Sequence, residues 1–284
     1  MITPRTIVLT FDTFVGPPVP VVTSDLPPGQ SSRAWSPIAA TLISGERDAV
    51  LVDPLMTIEQ GQALADWVAA TGKNLTTVYI THGHGDHWFG LGSIRERFPR
   101  VRAVATAPVV EHMRQQVSVK TFASWESRFP RLIQPDVTVA ERLSDLHIEL
   151  EGNELRAIEV GHTDTDNTTV LHVPSLGLVV AGDVACNDVH VYLAESGHDK
   201  RMEWIRALDL VEALHPRAVV AGHKRAGRAD DPKIIDETRM YIRDFDRIAG
   251  NTRTADELYE QMLSLYPGRV NPGSLWSSAR AEKG

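Results

Sequence analysis

The stretch THGHGDHWFG, residues 81–90, sets His82, His84, Asp86 and His87 within six positions with glycines between them. Imidazole and carboxylate are the groups that bind zinc and similar divalent ions. Four of them packed so tightly cannot all close comfortably round one ion, so a metal site here needs ligands from elsewhere in the chain. Three other stretches offer them. VGHTDTDNTT places His162, VVAGDVAC places Asp183 and AVVAGHKRAG places His223, each just after a run of apolar, β-type residues. Sheets flanked by helices present functional groups at that position, in the loops beyond strand ends. A chance histidine-rich loop explains the first stretch alone, but not the four together.

The seven groups divide economically. His82, His84 and His162 make a three-histidine site, Asp86, His87 and His223 make a second, and Asp183 bridges them. Two zinc ions about 3.5–4 Å apart in such a site would share one water, acidified towards neutral pH, and clamp a substrate oxygen. Asp86 would orient the second ion and shuttle a proton as the intermediate collapses. Gly83 and Gly85 would let the loop turn tightly enough for its side chains to converge.

HGHGDH followed by GHT, AGD and AGH resembles the metallo-β-lactamase superfamily of hydrolases, whose pattern is His-x-His-x-Asp-His, then His, Asp and His. The likeness runs in order and spacing from about residue 38 to 225. It implies an α+β fold, an αββα sandwich of two mixed sheets flanked by helices, with the metals at one edge. It implies the same ligand division and a dinuclear centre of two Zn2+ per chain, as in glyoxalase II and the lactonases. The activity it implies is hydrolysis of a small-molecule ester, lactone or related carbonyl.

The departures narrow that field. Class B1 β-lactamases carry cysteine where Asp183 stands, and Cys186 lies three residues further on. Flavodiiron proteins replace the second histidine by glutamate, whereas His84 is intact. The GHTPG of many relatives is GHTDTDN here; Asp164 and Asp166 would then hydrogen-bond ligand histidines or cap the loop. In related lactonases a tyrosine near the bridging aspartate polarises the carbonyl. Tyr192 is the candidate for that role, at an offset that also suits an ordinary packed tyrosine. The alternatives are a mononuclear-iron persulfide dioxygenase, which keeps three of the ligands, and a phosphodiesterase. A non-catalytic binding module is disfavoured because every ligand is retained.

The rest of the chain must position these groups. Its 284 residues are 42% hydrophobic, enough for a real core, and read as a single domain over 1–284. A net charge of −8 argues against nucleic acid or an anionic membrane as the main partner. One cysteine excludes an intrachain disulfide, and the N-terminus lacks the apolar core of a signal peptide. No run approaches the roughly 18 apolar residues of a membrane span, so a soluble, cytoplasmic protein is expected.

Residues 5–14 read as a first strand, and the proline-rich segment 16–37 as a long loop with no regular element. Strands IAATLISG and AVLVD, a helix over TIEQGQALADWVAATG, strand TTVYITH, helix LGSIRERFP and strand VRAVAT follow. Residues 107–135 form a helical insertion, a substrate cap or a surface decoration. Strands VTVAERL, LHIELEG, NELRAIEV, TTVLHVP and LGLVVAGD come next, then a helix near 200–214, strand AVVAG and C-terminal helices within 232–266. Those last helices would cover the core or make a homodimer contact. Trp35, Phe122, Trp125, Phe129 and Tyr192 suggest an apolar pocket wall, though core packing uses the same residues. His112, His147, His172, His190, His198 and His215 fall outside the pattern and read as surface or core-edge residues, His190 and His198 being the nearest exceptions. Lys224 would face an oxyanion or solvent.

Overall fold

Alternation of side chains along buried strands decides the layers of this protein. The computed structural model describes residues 7–284. A first sheet contains β1 (Thr10–Val15), β4 (Ala39–Ser44), β5 (Asp48–Val52), β6 (Asn74–Tyr79), β7 (Arg102–Ala105) and β8 (Glu141–Arg142), in the order β1-β4-β5-β6-β7-β8. A second contains β9 (His147–Leu150), β10 (Asn153–Gly161), β11 (Thr168–Val173), β12 (Leu178–Asn187) and β13 (Ala218–Lys224), in the order β13-β12-β11-β10-β9. Both sheets are mixed: β5, β6, β7 and β8 run parallel to one another, as do β12 and β13, and the remaining pairs are antiparallel.

In β5, Val50 and Val52 join Tyr79, Leu171 and Val180 in a core between the sheets. Their neighbours Ala49 and Leu51 point the other way, to α1 (Ile58–Ala70) and α2 (Leu91–Arg97). In β12, Val180 faces the first sheet while Val179 and Ala181 meet α5 (His198–Glu212) and α6 (Ile234–Ala249). The result is the expected α+β, αββα sandwich. Thr57 and Gln60 close a capping box at the start of α1, and Thr254 and Glu257 do the same for α7 (Ala255–Leu265). Among the described residues no helix is long and apolar enough to cross a membrane.

Several expectations change. Of the strand expected over 5–14, residues 5 and 6 lie outside the described residues, and β1 begins at Thr10. The segment 16–37 holds a short antiparallel ribbon, β2 (Val19–Val21) on β3 (Arg33–Trp35); a ribbon of two strands leaves an edge that tolerates Pro20. The strand expected over VTVAERL shrinks to Glu141–Arg142. A further helix, α8 (Pro272–Lys283), begins with proline in its first turn and buries Leu275, Trp276 and Ala279. The insertion 107–135 forms α3 (Ala107–Gln116) and α4 (Val119–Arg128).

The unforeseen helix α8 pins two loops. Trp276 Nε1 donates to Asp25 Oδ1 (2.9 Å) and Arg33 donates to the Gly273 carbonyl (2.8 Å), holding the proline-rich segment. The Leu193 amide donates to Ser278 Oγ (2.8 Å), holding the loop before α5. Arg201 joins the same region. Only 2% exposed, it donates to Asp246 on α6 (2.9 Å), Glu282 on α8 (2.8 Å) and the Ser196 carbonyl (2.7 Å). Replacing a buried, multiply bonded guanidinium strands its partners, so Arg201→Met should lower unfolding free energy by about 3 kcal/mol. Urea titration checks this, and a loss below about 1 kcal/mol would contradict it.

Candidate metal centre

Where the two sheets meet, β6 runs out at Tyr79 and the chain turns through Thr81–Trp88, with one short helical turn at Gly85–His87. Thr81 is fixed from both sides. Its carbonyl accepts from the Thr169 amide (3.0 Å) in the second sheet, and its hydroxyl donates to Asp53 Oδ2 (2.7 Å) at the end of β5. Gly83 and Gly85 are needed for space and not for an unusual φ: a Cβ on either would collide with the ring of His112 or Phe89. In the second sheet the β12–β13 register shifts between Gly182 and Cys186, which bulges Asp183 out of the ladder. Gly182 has φ +51, and a Cβ there would strike Thr81.

These loops, with His223 inside β13, bring two donor groups together. His82, His84 and Asp164 form one; Asp86, His87 and His223 form the other. They abut, with the His82 and His87 rings 4.3 Å apart. All six are buried except His84, whose edge reaches a cleft. In the second group His223 Nε2 lies 3.4 Å from Asp86 Oδ2 and 3.3 Å from Asp183 Oδ2, and His87 Nε2 lies 3.2 Å from Asp183 Oδ1. Ligands 2.0–2.1 Å from a tetrahedral ion are about 3.3 Å apart, so this spacing fits donors that share one. Both Asp183 oxygens face this second group.

Each of four imidazoles has one nitrogen tied outward. His82 Nδ1 donates to Thr81 Oγ1 (3.0 Å), which passes its own proton to Asp53. His87 Nδ1 donates to Asp53 Oδ2 (3.2 Å), His223 Nδ1 to the Pro37 carbonyl (3.1 Å), and His84 Nε2 faces Glu195 Oε1 (3.1 Å). The inward nitrogens Nε2 of His82 and His87, with Asp164 Oδ2 and Asp183 Oδ1, are buried without a hydrogen-bond partner. Buried polar atoms rarely stay so, and the donor chemistry fits a divalent metal centre. Trp35 Nε1 donates to Asp86 Oδ2 (2.8 Å), a positioning role that its place in a proline-rich segment did not disclose.

His162 is elsewhere. Its Nδ1 bonds Asp166 Oδ1 (2.8 Å) and its Nε2 bonds Ser196 Oγ (2.8 Å). The structure therefore does not bring His162 to His82 and His84; Asp164 stands there, with Oδ2 2.7 Å from His84 Nδ1 and 3.5 Å from His82 Nε2. His190 bonds Tyr241 (3.0 Å), His198 bonds Asp246 (3.0 Å) and Lys224 pairs with Asp230, all away from the cleft. Cys186 faces α6, where burial pushes its thiol pKa well up. Asp53 went unnamed in the sequence although it ends an apolar strand, the same signal that marks Asp183. Glu195 and Ser196 gave no such signal.

The cleft above the two groups opens to solvent and has a volume of about 180 Å³. Its floor includes His84, Asp86, Asp164, Asp183 and His223, and its walls include Trp35, Trp125, Arg128 and Tyr192. The proline-rich segment 16–37, the insertion 107–135 and the loop before α5 all contribute, together with Ser274 of α8. Phe129 is buried behind Trp35 and Trp125, and Phe122 packs on Phe89.

The sequence pattern of the metallo-beta-lactamase superfamily matches residues 33–223. The chain belongs to that superfamily. Among curated proteins no match was found. Solved structures with this fold include a metallo-beta-lactamase family protein, TTHA1429, from Thermus thermophilus, at 20% identity and TM-score 0.61, covering 95% of this chain and 91% of that one. A metallo-beta-lactamase from Pontibacter korlensis (17% identity, TM-score 0.56) covers 82% of this chain and 100% of its own. The FIM-1 metallo-beta-lactamase from Pseudomonas aeruginosa, solved in a mono-zinc form, has 14% identity and TM-score 0.57, covering 86% and 97%. Such distant likenesses establish the fold shared across the superfamily.

Electrostatics set how a superfamily centre built from these groups takes up metal. Burial opposes charge on His84 and His87, but Asp164 and Glu195 beside the first, and Asp183 and Asp86 beside the second, raise both pKa values well above the ordinary imidazole range. His223 is likewise pushed up to about 10 against burial, by Asp183 and Asp86. Asp183 is held well below the carboxylate range, burial being outweighed by His223 and His87. Metal-free protein at neutral pH therefore keeps protons on nitrogens that an ion needs. Loading should release protons, and apparent affinity should rise with pH between roughly 6 and 8. Calorimetry in buffers of different ionisation heat reads both, and a flat profile would refute it. Asp53→Ala, which frees His82 and His87 to rotate, should weaken metal binding about 10–100-fold in a chelator competition.

Proposed function

We propose that the protein is a dinuclear, zinc-dependent hydrolase of esters, lactones or related carbonyl compounds. The observation that carries this reading is the pair of abutting donor groups on a cleft floor, with four imidazoles each tied outward through one nitrogen. When bound there, a pair of divalent ions supplies a nucleophilic hydroxide at neutral pH and polarises a carbonyl oxygen. His82 and His84 would hold one ion and Asp86, His87 and His223 the other, with both Asp183 oxygens facing the second.

The chain's own groups complete the chemistry. Asp86 stays ionised because His87 and His223 outweigh the cost of its burial, and Trp35 fixes its direction. It would orient the attacking group and carry a proton to the leaving oxygen. Tyr192, its ring 6.3 Å from that of His84, is kept protonated by burial and can donate its hydroxyl to a carbonyl oxygen.

The wall points to the substrate's other end. Arg128 stacks 4.4 Å from the Trp125 ring, and among the described residues no carboxylate pairs with it. An ester or lactone bearing an apolar group and an anionic group would satisfy the indoles and the guanidinium together.

Metal content by mass spectrometry, on protein purified without added metal, tests the reading. Two zinc ions per chain are expected, with lactone and aryl-ester hydrolysis abolished by chelator and restored by zinc. One iron per chain, with oxygen consumed on glutathione persulfide, would overturn it. Arg128→Met should raise KM about tenfold for a carboxylate-bearing ester, leaving kcat and the uncharged ester little changed.

A further inference from the structure

His162 and Asp164 are two residues apart, and only one of them faces His82 and His84. We infer that Asp164, and not His162, is the third protein ligand on that side of the centre, so that each half holds two imidazoles and one carboxylate. The inference rests on the dinuclear reading above and concerns which residue completes it.

The hydrogen bonds separate the two candidates. His82, His84, His87 and His223 each turn one nitrogen outward and keep one inward, whereas His162 has both nitrogens engaged, by Asp166 and Ser196 at 2.8 Å each. Ser196 is itself fixed, donating to the Thr163 carbonyl (3.0 Å), and its own carbonyl accepts from the buried Arg201. Freeing His162 would break bonds on both sides of its ring. Asp164 shows the opposite condition. Its Oδ1 accepts from Thr163 Oγ1 (2.8 Å), and its Oδ2 is buried, has no aligned donor and points between His82 and His84. Asp164 also lies on the cleft floor, where His162 does not.

The backbone explains the exchange. The β10–β11 register shifts between Glu159 and Gly161, and Gly161 has φ +87. Past this left-handed step the chain puts His162 against Ser196, and the tight turn Thr163–Thr165, closed by an amide–carbonyl bond of 2.9 Å, delivers Asp164 to the histidines. The chemical consequence is charge. Asp86, Asp164 and Asp183 together carry three negative charges, and one hydroxide would complete the neutralisation of two dications. A carboxylate in place of an imidazole also makes this half of the centre harder, better suited to manganese or iron than a three-histidine site.

The test is zinc affinity, read by chelator competition and by ions retained per chain after gel filtration, with circular dichroism as the folding control. In Asp164→Ala the weaker dissociation constant should rise at least about 100-fold, leaving about one ion per chain. In His162→Ala it should rise less than about tenfold, leaving two. Asp164→Asn keeps the side chain's shape and should still lose the ion, which covers a folding failure of the alanine variant. Asp164→His should restore two ions and shift preference from manganese towards zinc. An effect of His162→Ala as large as that of Asp164→Ala, or larger, would overturn the inference while leaving the dinuclear centre standing. Wild-type protein that binds no zinc at all would remove the centre itself, and the inference with it.

Discussion

Three carboxylates and four imidazoles lie together where the two sheets meet, and almost all of them are out of water. Burial of unpaired charge is among the most expensive things a fold can do, so these groups are tolerable only as mutual partners or as ligands. That requirement reaches well beyond the cleft. Asp53 must stand in left-handed backbone, φ 55, to meet the Thr81 hydroxyl and His87, and Thr81 must in turn be held by Thr169 of the opposite sheet. The sandwich is thus closed by a polar seam as well as by the apolar core between its sheets.

The seam also sets the chemical state of each group. A carbonyl can only accept, so Pro37 fixes the proton of His223 on Nδ1; Asp53 does the same for His87, directly, and for His82, through Thr81. Once each ring is neutral, as a metal ligand must be, the lone pair of Nε2 is turned to the centre. Outer partners thus do what the ring alone cannot, since a free imidazole exchanges its tautomers.

The cleft is assembled from parts remote in the chain. Trp35 comes from the strand after a proline-rich loop, Trp125 and Arg128 from the helical insertion, Tyr192 from the loop before α5, and Ser274 from α8. Loops of this length are costly to order and must be tied down. The ties are specific: Trp276 on Asp25, Ser278 on Leu193, Arg201 on Ser196. The wall of the cleft is therefore as much a product of the C-terminal helices as of the sheets.

Much of this was legible in the sequence, and the reason is periodicity. Short apolar runs rich in valine, such as AVLV and LVVA, read as buried strands, 3.6-residue spacing marks α1, α5 and α6, and donor side chains placed after such runs announce a site. The sequence also carried the donor types themselves, because imidazole and carboxylate are side-chain identities. What it left open depends on a step of one residue or on distant contacts. Whether His162 or Asp164 faces the centre turns on the register shift and left-handed glycine at 161, and a shift of one position exchanges the two faces of a strand. The partners Glu195 and Ser196, the Trp35–Asp86 bond and the docking of α8 join residues far apart along the chain, and no local pattern encodes such pairs. Residue types and the apolar runs that become strands were legible in the sequence; which nitrogen and which carboxylate point inward was decided only when the two sheets closed.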